Sequence, residues 1–234
     1  MNDVWDRLLG TGGVSSAART GQTVLIVALV SLAPVGVLMV TAFVRISIVL
    51  TLLRQALGTP QVPGNQVMMV LALLLTALVM KPVGDRVYRD AVVPFANGTI
   101  SATAAWDAGS RPVKLFMIDQ IFHSHHQHYL VEIHQRVQPP ASRDEVPKHY
   151  EDLPFQVVAP AFLISELTTA LVIGFLIYLP FLVIDLVVAA VLSAMGLFLV
   201  PPAQIASPLK LIVFALAEGW WLVSDMLVRT FAVS

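Results

Sequence analysis

The sequence contains no cysteine, and only 12% of its 234 residues are charged. The absence of cysteine excludes disulfides, thiolate nucleophiles and cysteine-ligated metals in this chain. The shortage of charge accompanies an excess of apolar residues, which make up 57% of the chain and give a mean hydropathy of +0.79. Soluble domains are nearer to about a quarter charged. The composition therefore predicts an integral membrane protein.

The charges that are present nearly cancel, with 14 Lys and Arg against 15 Asp and Glu, for a net charge of −1. Without a basic excess the chain has no field to attract a polyanion, so we expect no nucleic-acid partner. The N-terminal segment, residues 1–22, is polar and carries charges of both signs. A secretory signal begins with a basic region instead, so we expect this segment to be retained.

Apolar and charged residues alternate along the chain in four parts. A polar N-terminal segment occupies residues 1–22, and a first set of apolar helices follows over 23–80. A polar helical insert occupies 81–154, and a second set of apolar helices occupies 155–234. The apolar runs are too long for strands and lack the alternation of a membrane barrel. We therefore predict an all-α membrane-associated fold of long apolar helices and hairpins with a polar helical insert.

Helix ends in the first apolar part are predicted from Gly, Pro and capping residues. The run Thr23–Val44 and its arginine-bearing extension should stop near Gly58, where prolines and glycines cluster. Asn65 offers an N-cap for a second helix, Gln66–Met80, and the Lys-Pro pair that follows should end it.

The remaining helices are predicted in the same way. Periodicity over Lys114–Val137 indicates one amphipathic helix in the insert. Two further helices, Phe155–Leu179 and Phe181–Val200, should be separated by the proline between them, and a later proline should open Leu209–Val223. The positive-inside rule does not orient the insert, because basic residues are not concentrated on one side; our hypothesis places it outside the cytoplasm.

Two arginines, Arg45 and Arg54, lie in an otherwise apolar stretch. Nine residues at about 100° per residue put them half a turn out of alignment, so one lipid-facing stripe cannot avoid both. An arginine in hydrocarbon is costly and usually faces protein or water. One interpretation is that Arg54 marks the helix end at the membrane interface. The other is that both arginines contact protein and that subunits surround this helix.

Further charges interrupt the C-terminal apolar runs at Glu166, Asp185, Lys210 and Glu218. Such isolated charges are candidates for pairing or for function. Pairs such as Arg45–Glu166 or Lys210–Asp185 would match in sign, but sequence alone does not choose the partners. An alternative is a small independent transporter in which Glu166 and Asp185 act as coupling acids.

A cluster of histidines in the insert suggests a metal site, although a weak one. If a single helix ran through the cluster, His125, His128 and Glu132 would share a face and could bind zinc. A membrane-bound metalloenzyme is therefore a third hypothesis, but HExxH is absent and a solvated polar face is the commoner explanation. Phosphate-binding loops and nucleophile elbows are also absent. We predict no enzymatic activity, no cofactor and no bound metal.

Four blocks of the sequence are long, distinctive and ordered along the chain. They are FVRISIVLTLLRQALGT followed by VPGNQV, then APAFLISEL, then the run from Phe175 to Pro202, and finally LKL with GW downstream. Together they resemble the FliP family of flagellar type III export-gate proteins, over roughly residues 25–97 and 153–231. The sequence RQALGT is closer to that of flagellar members than to that of injectisome members, which remain the alternative.

The resemblance implies a structural channel subunit rather than an enzyme. Family members self-associate, with FliQ- and FliR-like subunits, into a ring or helical export gate, for which we expect a homopentamer of this chain. Unfolded flagellar subunits pass through the gate, which works with FlhA- and FlhB-like export proteins. The implied location is the bacterial inner membrane, within the flagellar basal body.

The resemblance also implies a pore gasket in a loop that ends in Pro-Pro. The matching gasket positions are Met195, Leu197, Phe198 and Leu199, of which only the first keeps the methionine typical of the family. Flexible methionine suits a deformable seal, whereas leucine and phenylalanine would close the pore with a stiffer apolar fit. Thr168 stands where the family usually carries a lysine, so Glu166 requires a different cation.

Overall fold

The computed structural model describes residues 36–59, 63–137 and 149–231, together with Val24, Val27 and Ser31. These residues form helices joined by turns and short loops and contain no strand, which confirms the predicted all-α class. The predicted polar segment 1–22, most of the helix predicted over Thr23–Val44 and much of the loop before residue 149 lie outside the described residues. The chain divides into two units, residues 1–39 and 40–234, and the following description concerns the second.

The α-helices of the second unit are numbered in chain order over its described residues. They are α1 Phe43–Ala56, α2 Asn65–Val87, α3 Val93–Ala96, α4 Ala102–His123, α5 Gln127–Val137, α6 Phe155–Ala194, α7 Pro202–Leu216 and α8 Gly219–Arg229. A π-helix, Tyr88–Val92, joins α2 to α3, and a 3₁₀ turn, Tyr150–Asp152, precedes α6.

Helix α1 lies at the centre of the core. Its apolar residues Ile46, Val49, Leu50 and Leu53 recur at helical spacing, and each is at most 1% exposed. They pack mainly on α6 and α2, and burying each such side chain contributes roughly 1.5–3 kcal/mol. The helix ends at Ala56 before a glycine, residue 58, in the left-handed conformation, which confirms the predicted stop.

The predicted end of the second helix at Lys81-Pro82 is wrong. Helix α2 passes through Pro82 and continues, by way of the π-helix, to Ala96. The proline removes one backbone hydrogen bond, but Val79 and Val83 on either side of it are buried, and their packing holds the helix together. Asn65 is also not the N-cap: it is the first helical residue, and the residue before it takes the capping position.

The predicted break at Pro180 is wrong for a similar reason. Helix α6 runs without interruption for 40 residues, or about 60 Å. It packs on α1, α4, α5 and α7; Gly174 before the proline lies against Leu52 of α1, and Phe181 after it meets Phe214 of α7. Packing on both sides of the proline outweighs the lost hydrogen bond.

Two other helix predictions are also wrong. The single helix predicted over Lys114–Val137 is broken at residues 124–126, between α4 and α5. The last helix does not begin at residue 209: α7 begins at Pro202 and includes Pro208, and α8 follows after a bend of 67°.

Two helical stretches are long and apolar enough to cross a membrane, Asn65–Ala96 and Phe155–Ala194. The bent pair of α7 and α8 would make a third if the two helices formed one span. The described helices thus agree with the membrane character predicted from composition.

Gly174 on α6 permits the close approach of α1. A Cβ added at this position would lie 2.2 Å from Leu52 Cδ1 and 3.1 Å from Leu52 Cβ, so the whole leucine side chain would have to move. Gly84 on α2 has nothing within 4 Å of such a Cβ and provides a matched control.

We predict that Gly174→Ala lowers the free energy of unfolding by about 1–3 kcal/mol, because it overpacks the contact between α1 and α6. Gly84→Ala should instead raise it by about 0.5–1 kcal/mol, since alanine is the better helix former. Thermal unfolding of the detergent-solubilised protein, followed by circular dichroism, measures both changes. Equal effects of the two substitutions would show that this contact does not determine stability.

Candidate functional site: charges buried among apolar helices

Arg45 of α1 and Glu166 of α6 form a fully buried ion pair, with side chains 1% and 0% exposed. Arg45 Nε donates to Glu166 Oε2 at 2.8 Å, and the second guanidinium nitrogen, Nη2, donates to Oε1 at 2.5 Å. This two-bond arrangement matches the planar guanidinium to the planar carboxylate and is the strongest form of such a pair.

The remaining surface of the Arg45 guanidinium is occupied by the end of α8. Its Nη1 donates to the carbonyl oxygen of Thr230 at 2.9 Å, and its central carbon lies 4.1 Å from the centre of the Phe231 ring. A cation over an aromatic face is attracted to it. These contacts all lie within one chain, so the charge of Arg45 is neutralised without a neighbouring subunit.

A second ion pair joins Lys210 of α7 to Asp185 of α6. Lys210 Nζ lies 2.6 Å from Asp185 Oδ2 and also donates to the carbonyl oxygen of Ala56 at 3.0 Å. That carbonyl is one of the last in α1, where no helical N–H is available to it, and a cation there also complements the helix dipole. Lys210 therefore links three helices through one ammonium group.

The two pairs hold α1 and α6 in parallel. Arg45 meets Glu166 near the start of α1, and Ala56 at its end is linked through Lys210 to Asp185, farther along α6. Both carboxylates thus neutralise a cation of the same chain. A coupling acid of an independent transporter must instead exchange protons with water, and Glu166 is 0% exposed.

The residue at the position of the family lysine, Thr168, bonds to the carbonyl oxygen of Ile164 in its own helix, at 2.9 Å. Arg45 supplies the cation that a lysine at position 168 would otherwise bring to Glu166. The sequence indicated that Glu166 needs a different cation and named Arg45 as one possible partner, but it did not choose between the candidates, because the two residues are 121 positions apart.

Arg54 has a local role that differs from that of Arg45. It is half-buried at the end of α1, and its Nη1 donates to Asn65 Oδ1 and, at 3.4 Å, to the carbonyl oxygen of Pro63. It therefore bridges the turn between α1 and α2, in agreement with the interpretation that it marks a helix end.

The histidine cluster does not form the face that a metal site would need. His125 has φ 58° and lies in the break before α5, so it does not share a helix with His128 and Glu132. In the described ranges no group of three His, Asp or Glu side chains is placed to hold a metal ion. The premise of a continuous helix is wrong because the chain turns at residues 124–126.

His126 connects this break to α6 beside the buried ion pair, a contact that sequence reasoning missed. Its Nδ1 lies 2.9 Å from Ser165 Oγ, and it lines a cleft of about 350 Å³ that Arg45 also borders. Burial, followed by the charges of His128, Arg45 and His125, lowers the pKa of His126 and favours its neutral ring. The neighbouring positive charges thus disfavour protonation of His126, which would place a second cation beside Arg45.

The loop between α6 and α7 carries the predicted gasket residues on an exposed turn. Helix α6 ends at a left-handed glycine, residue 196, and the chain bonds back from Leu197 N to the carbonyl oxygen of Leu192 at 2.9 Å. Met195 is 66% exposed, Leu197 42%, Phe198 79% and Leu199 98%. These apolar side chains contact little of their own chain, as expected of residues that meet another surface.

Comparison with known proteins supports the family resemblance along almost the whole chain. A model of the FliP family matches residues 26–227. Three similar proteins are all named flagellar biosynthetic protein FliP. That of Pectobacterium carotovorum is 42% identical, covering 97% of this chain and 87% of its own length. That of Caulobacter vibrioides is 44% identical (95% and 80%), and that of Bacillus subtilis is 35% identical (92% and 94%).

We predict that Arg45→Leu lowers the free energy of unfolding by about 3–5 kcal/mol, because it leaves Glu166 buried without a cation. Combining it with Glu166→Leu should recover most of that loss, since the double substitution removes both charges. Thermal unfolding in detergent measures each variant.

Asp85→Asn provides the control, because the Lys81–Asp85 pair has side chains 72% and 60% exposed and such pairs contribute at most about 1 kcal/mol. A double variant no more stable than Arg45→Leu alone would contradict the expected coupling.

Proposed function

The chain belongs to the FliP family of flagellar biosynthesis proteins, and from this membership we propose that it is a structural subunit of the flagellar type III protein export gate. Several copies, as a homopentamer, assemble with FliQ- and FliR-like subunits in a ring or helical arrangement. Unfolded flagellar subunits pass through the channel so formed. The role is architectural and involves no catalytic residue, cofactor or metal.

The observation that carries the proposal is the length of the exposed apolar surface on α6. Large apolar side chains are exposed from Ile164 to Val191, over about 40 Å of helix, and among them Phe175 and Leu186 are each 62% exposed. The hydrocarbon core of a bilayer is only about 30 Å thick. A membrane alone therefore leaves part of this surface in water, and neighbouring subunits of the gate would cover it.

The internal ion pairs support the same role. Because Arg45, Glu166 and Lys210 are buried and paired within the chain, they expose almost no charge on the surfaces that α6 and α7 present to neighbours. Apolar contact between subunits then requires no removal of water from those ions. This arrangement suits a subunit that packs against others, whereas a transporter would need its acids accessible.

The loop between α6 and α7 is the proposed gasket of the closed channel. Side chains from several copies, with Phe198 and Leu199 at the tip, would meet and exclude water and ions by apolar contact. Met195 and Leu197 flank the tip and complete the seal. Leucine and phenylalanine adapt less than methionine, so this gasket would be stiffer than a methionine-rich one.

The assembly is proposed to lie in the bacterial inner membrane, within the flagellar basal body, with the polar insert on the extracytoplasmic side. It would work with FlhA- and FlhB-like export proteins. The names of the relatives favour a flagellar gate over an injectisome gate, since those compared all carry the flagellar name.

Deleting the gene should abolish filament assembly while leaving the earlier membrane-ring structures. Electron microscopy of isolated basal bodies and immunoblotting of exported flagellin measure the two effects, and the wild-type gene restored on a plasmid is the control. A deletion strain that still exports flagellin would contradict the proposed function.

Replacing both tip residues, in Phe198→Ala with Leu199→Ala, should make the closed gate leak ions without unfolding the chain, because the tip makes few contacts in its own subunit. A membrane-potential dye measures the leak in growing cells. Leu74→Ala, at a 65% exposed position on α2, is the matched control and should leave the potential unchanged. Equal potentials in all three strains would argue against a gasket at this loop.

A further inference from the structure

Glu218 is the only charged residue between Lys210 and Asp225, a stretch that spans the bend from α7 to α8. Both neighbouring charges are paired within the chain, Lys210 with Asp185 and Asp225 with Arg229. The exposed Glu218 side chain, in contrast, has no hydrogen bond or ion pair with any residue in the described ranges. Among the residues that the structure describes, its carboxylate is therefore left without a cation.

The surface around Glu218 is apolar and largely uncovered. Leu216 is 81% exposed, Trp221 68% and Leu222 57%. We call residues 216–222 the α7–α8 corner. A lone carboxylate within an exposed apolar surface is costly to cover unless the covering surface brings a cation.

The backbone at the corner shows that the carboxylate occupies a position poorly suited to glutamate. Glu218 has φ 52° and ψ 39°, the left-handed region that favours glycine or asparagine. The adjacent Gly219 does not adopt this conformation; it instead permits a close contact, since a Cβ there would lie 2.2 Å from the Phe214 ring. Glycine thus serves the close contact at 219, and a glutamate with an unfavourable backbone remains at 218, as is common at functional positions.

A second copy of this chain offers no spare cation of the right kind in its described apolar helices. Arg45 and Lys210 are buried and paired, and Arg54 is half-buried and bonded to Asn65. The exposed Lys81 and Arg229 each pair with an aspartate one turn away, and Arg86 lies near Asp119. Lipid hydrocarbon offers no cation either. The charge therefore favours a different protein as the occupant of the corner.

We propose that the α7–α8 corner docks an apolar helix of a different membrane protein, whose Lys or Arg pairs with Glu218. The inference rests on the proposed export gate, because such a helix would belong to another of its subunits. Glu218 determines which helix fits, since an apolar helix without a cation would leave the carboxylate unpaired.

The test compares four substitutions in the full chain. Glu218→Gln removes the charge and keeps the unfavourable backbone, Glu218→Asn removes the charge and suits the backbone, and Glu218→Asp keeps the charge. Asp225→Asn is the control, because its carboxylate already pairs with Arg229 of this chain. Each chain is co-expressed with FliQ- and FliR-like subunits, and the recovered complex is quantified after size exclusion in detergent.

We expect Glu218→Gln and Glu218→Asn to reduce recovery of the complex at least tenfold, and Glu218→Asp and Asp225→Asn to retain most of it. Thermal unfolding of each chain alone should show no loss for Gln and a gain or no change for Asn. Wild-type recovery with both Gln and Asn would overturn the proposal. A change confined to insertion into phosphatidylcholine vesicles would assign the corner to lipid and overturn it as well.

A charge reversal, Glu218→Lys, identifies the partner by selection for restored motility. Suppressors should change a Lys or Arg to Asp or Glu in a helix of another membrane protein, and suppressors confined to this chain would contradict the proposal. The deletion strain tests the export function separately. If it still exports flagellin, the proposed function is wrong, while the dependence of the complex on Glu218 still decides the docking site.

Discussion

The ion pair between Arg45 and Glu166 is the contact on which the arrangement of the helices depends. Two ions buried among apolar helices lose their hydration, and that cost is offset only when every polar direction is satisfied. Here the carboxylate accepts two guanidinium bonds, while the carbonyl of Thr230 and the ring of Phe231 occupy the rest of the cation. Any sliding of α1 along α6 would break this set as a whole, which fixes the register of the core.

Lys210 extends the same constraint to the opposite end of α1. Its ammonium joins Asp185 on α6 to the carbonyl of Ala56 at the end of α1, so that α7 is held against both. Between the two pairs, Gly174 removes the side chain that would keep α1 and α6 apart. Polar contacts at the two ends and close packing in the middle thus position one parallel helix pair, from which the loop at residues 195–201 and the corner at residues 216–222 project.

Pairing the charges inside the subunit also determines the character of its outer surface. The exposed parts of α6 and α7 are apolar and almost free of charge, so they can face lipid or another subunit at little electrostatic cost. Glu218, at the junction of α7 and α8, is an exposed charge that no residue in the described ranges pairs with. A single charge on such a surface contributes little affinity but discriminates strongly between partners.

The amino-acid sequence by itself determined the helical class, the membrane character, the stop of α1 before Gly58 and the family, because composition, period and motifs are properties of neighbouring residues. It also indicated that the charges at 45, 166, 185 and 210 need partners. Only the tertiary structure decided which charges pair, because that choice depends on helices separated by up to 121 residues. The tertiary structure also decided that the helices continue through Pro82 and Pro180, because contacts on both sides of each proline sustain a helix that local rules would end. It likewise decided the turn at His125, which brings His126 to Ser165.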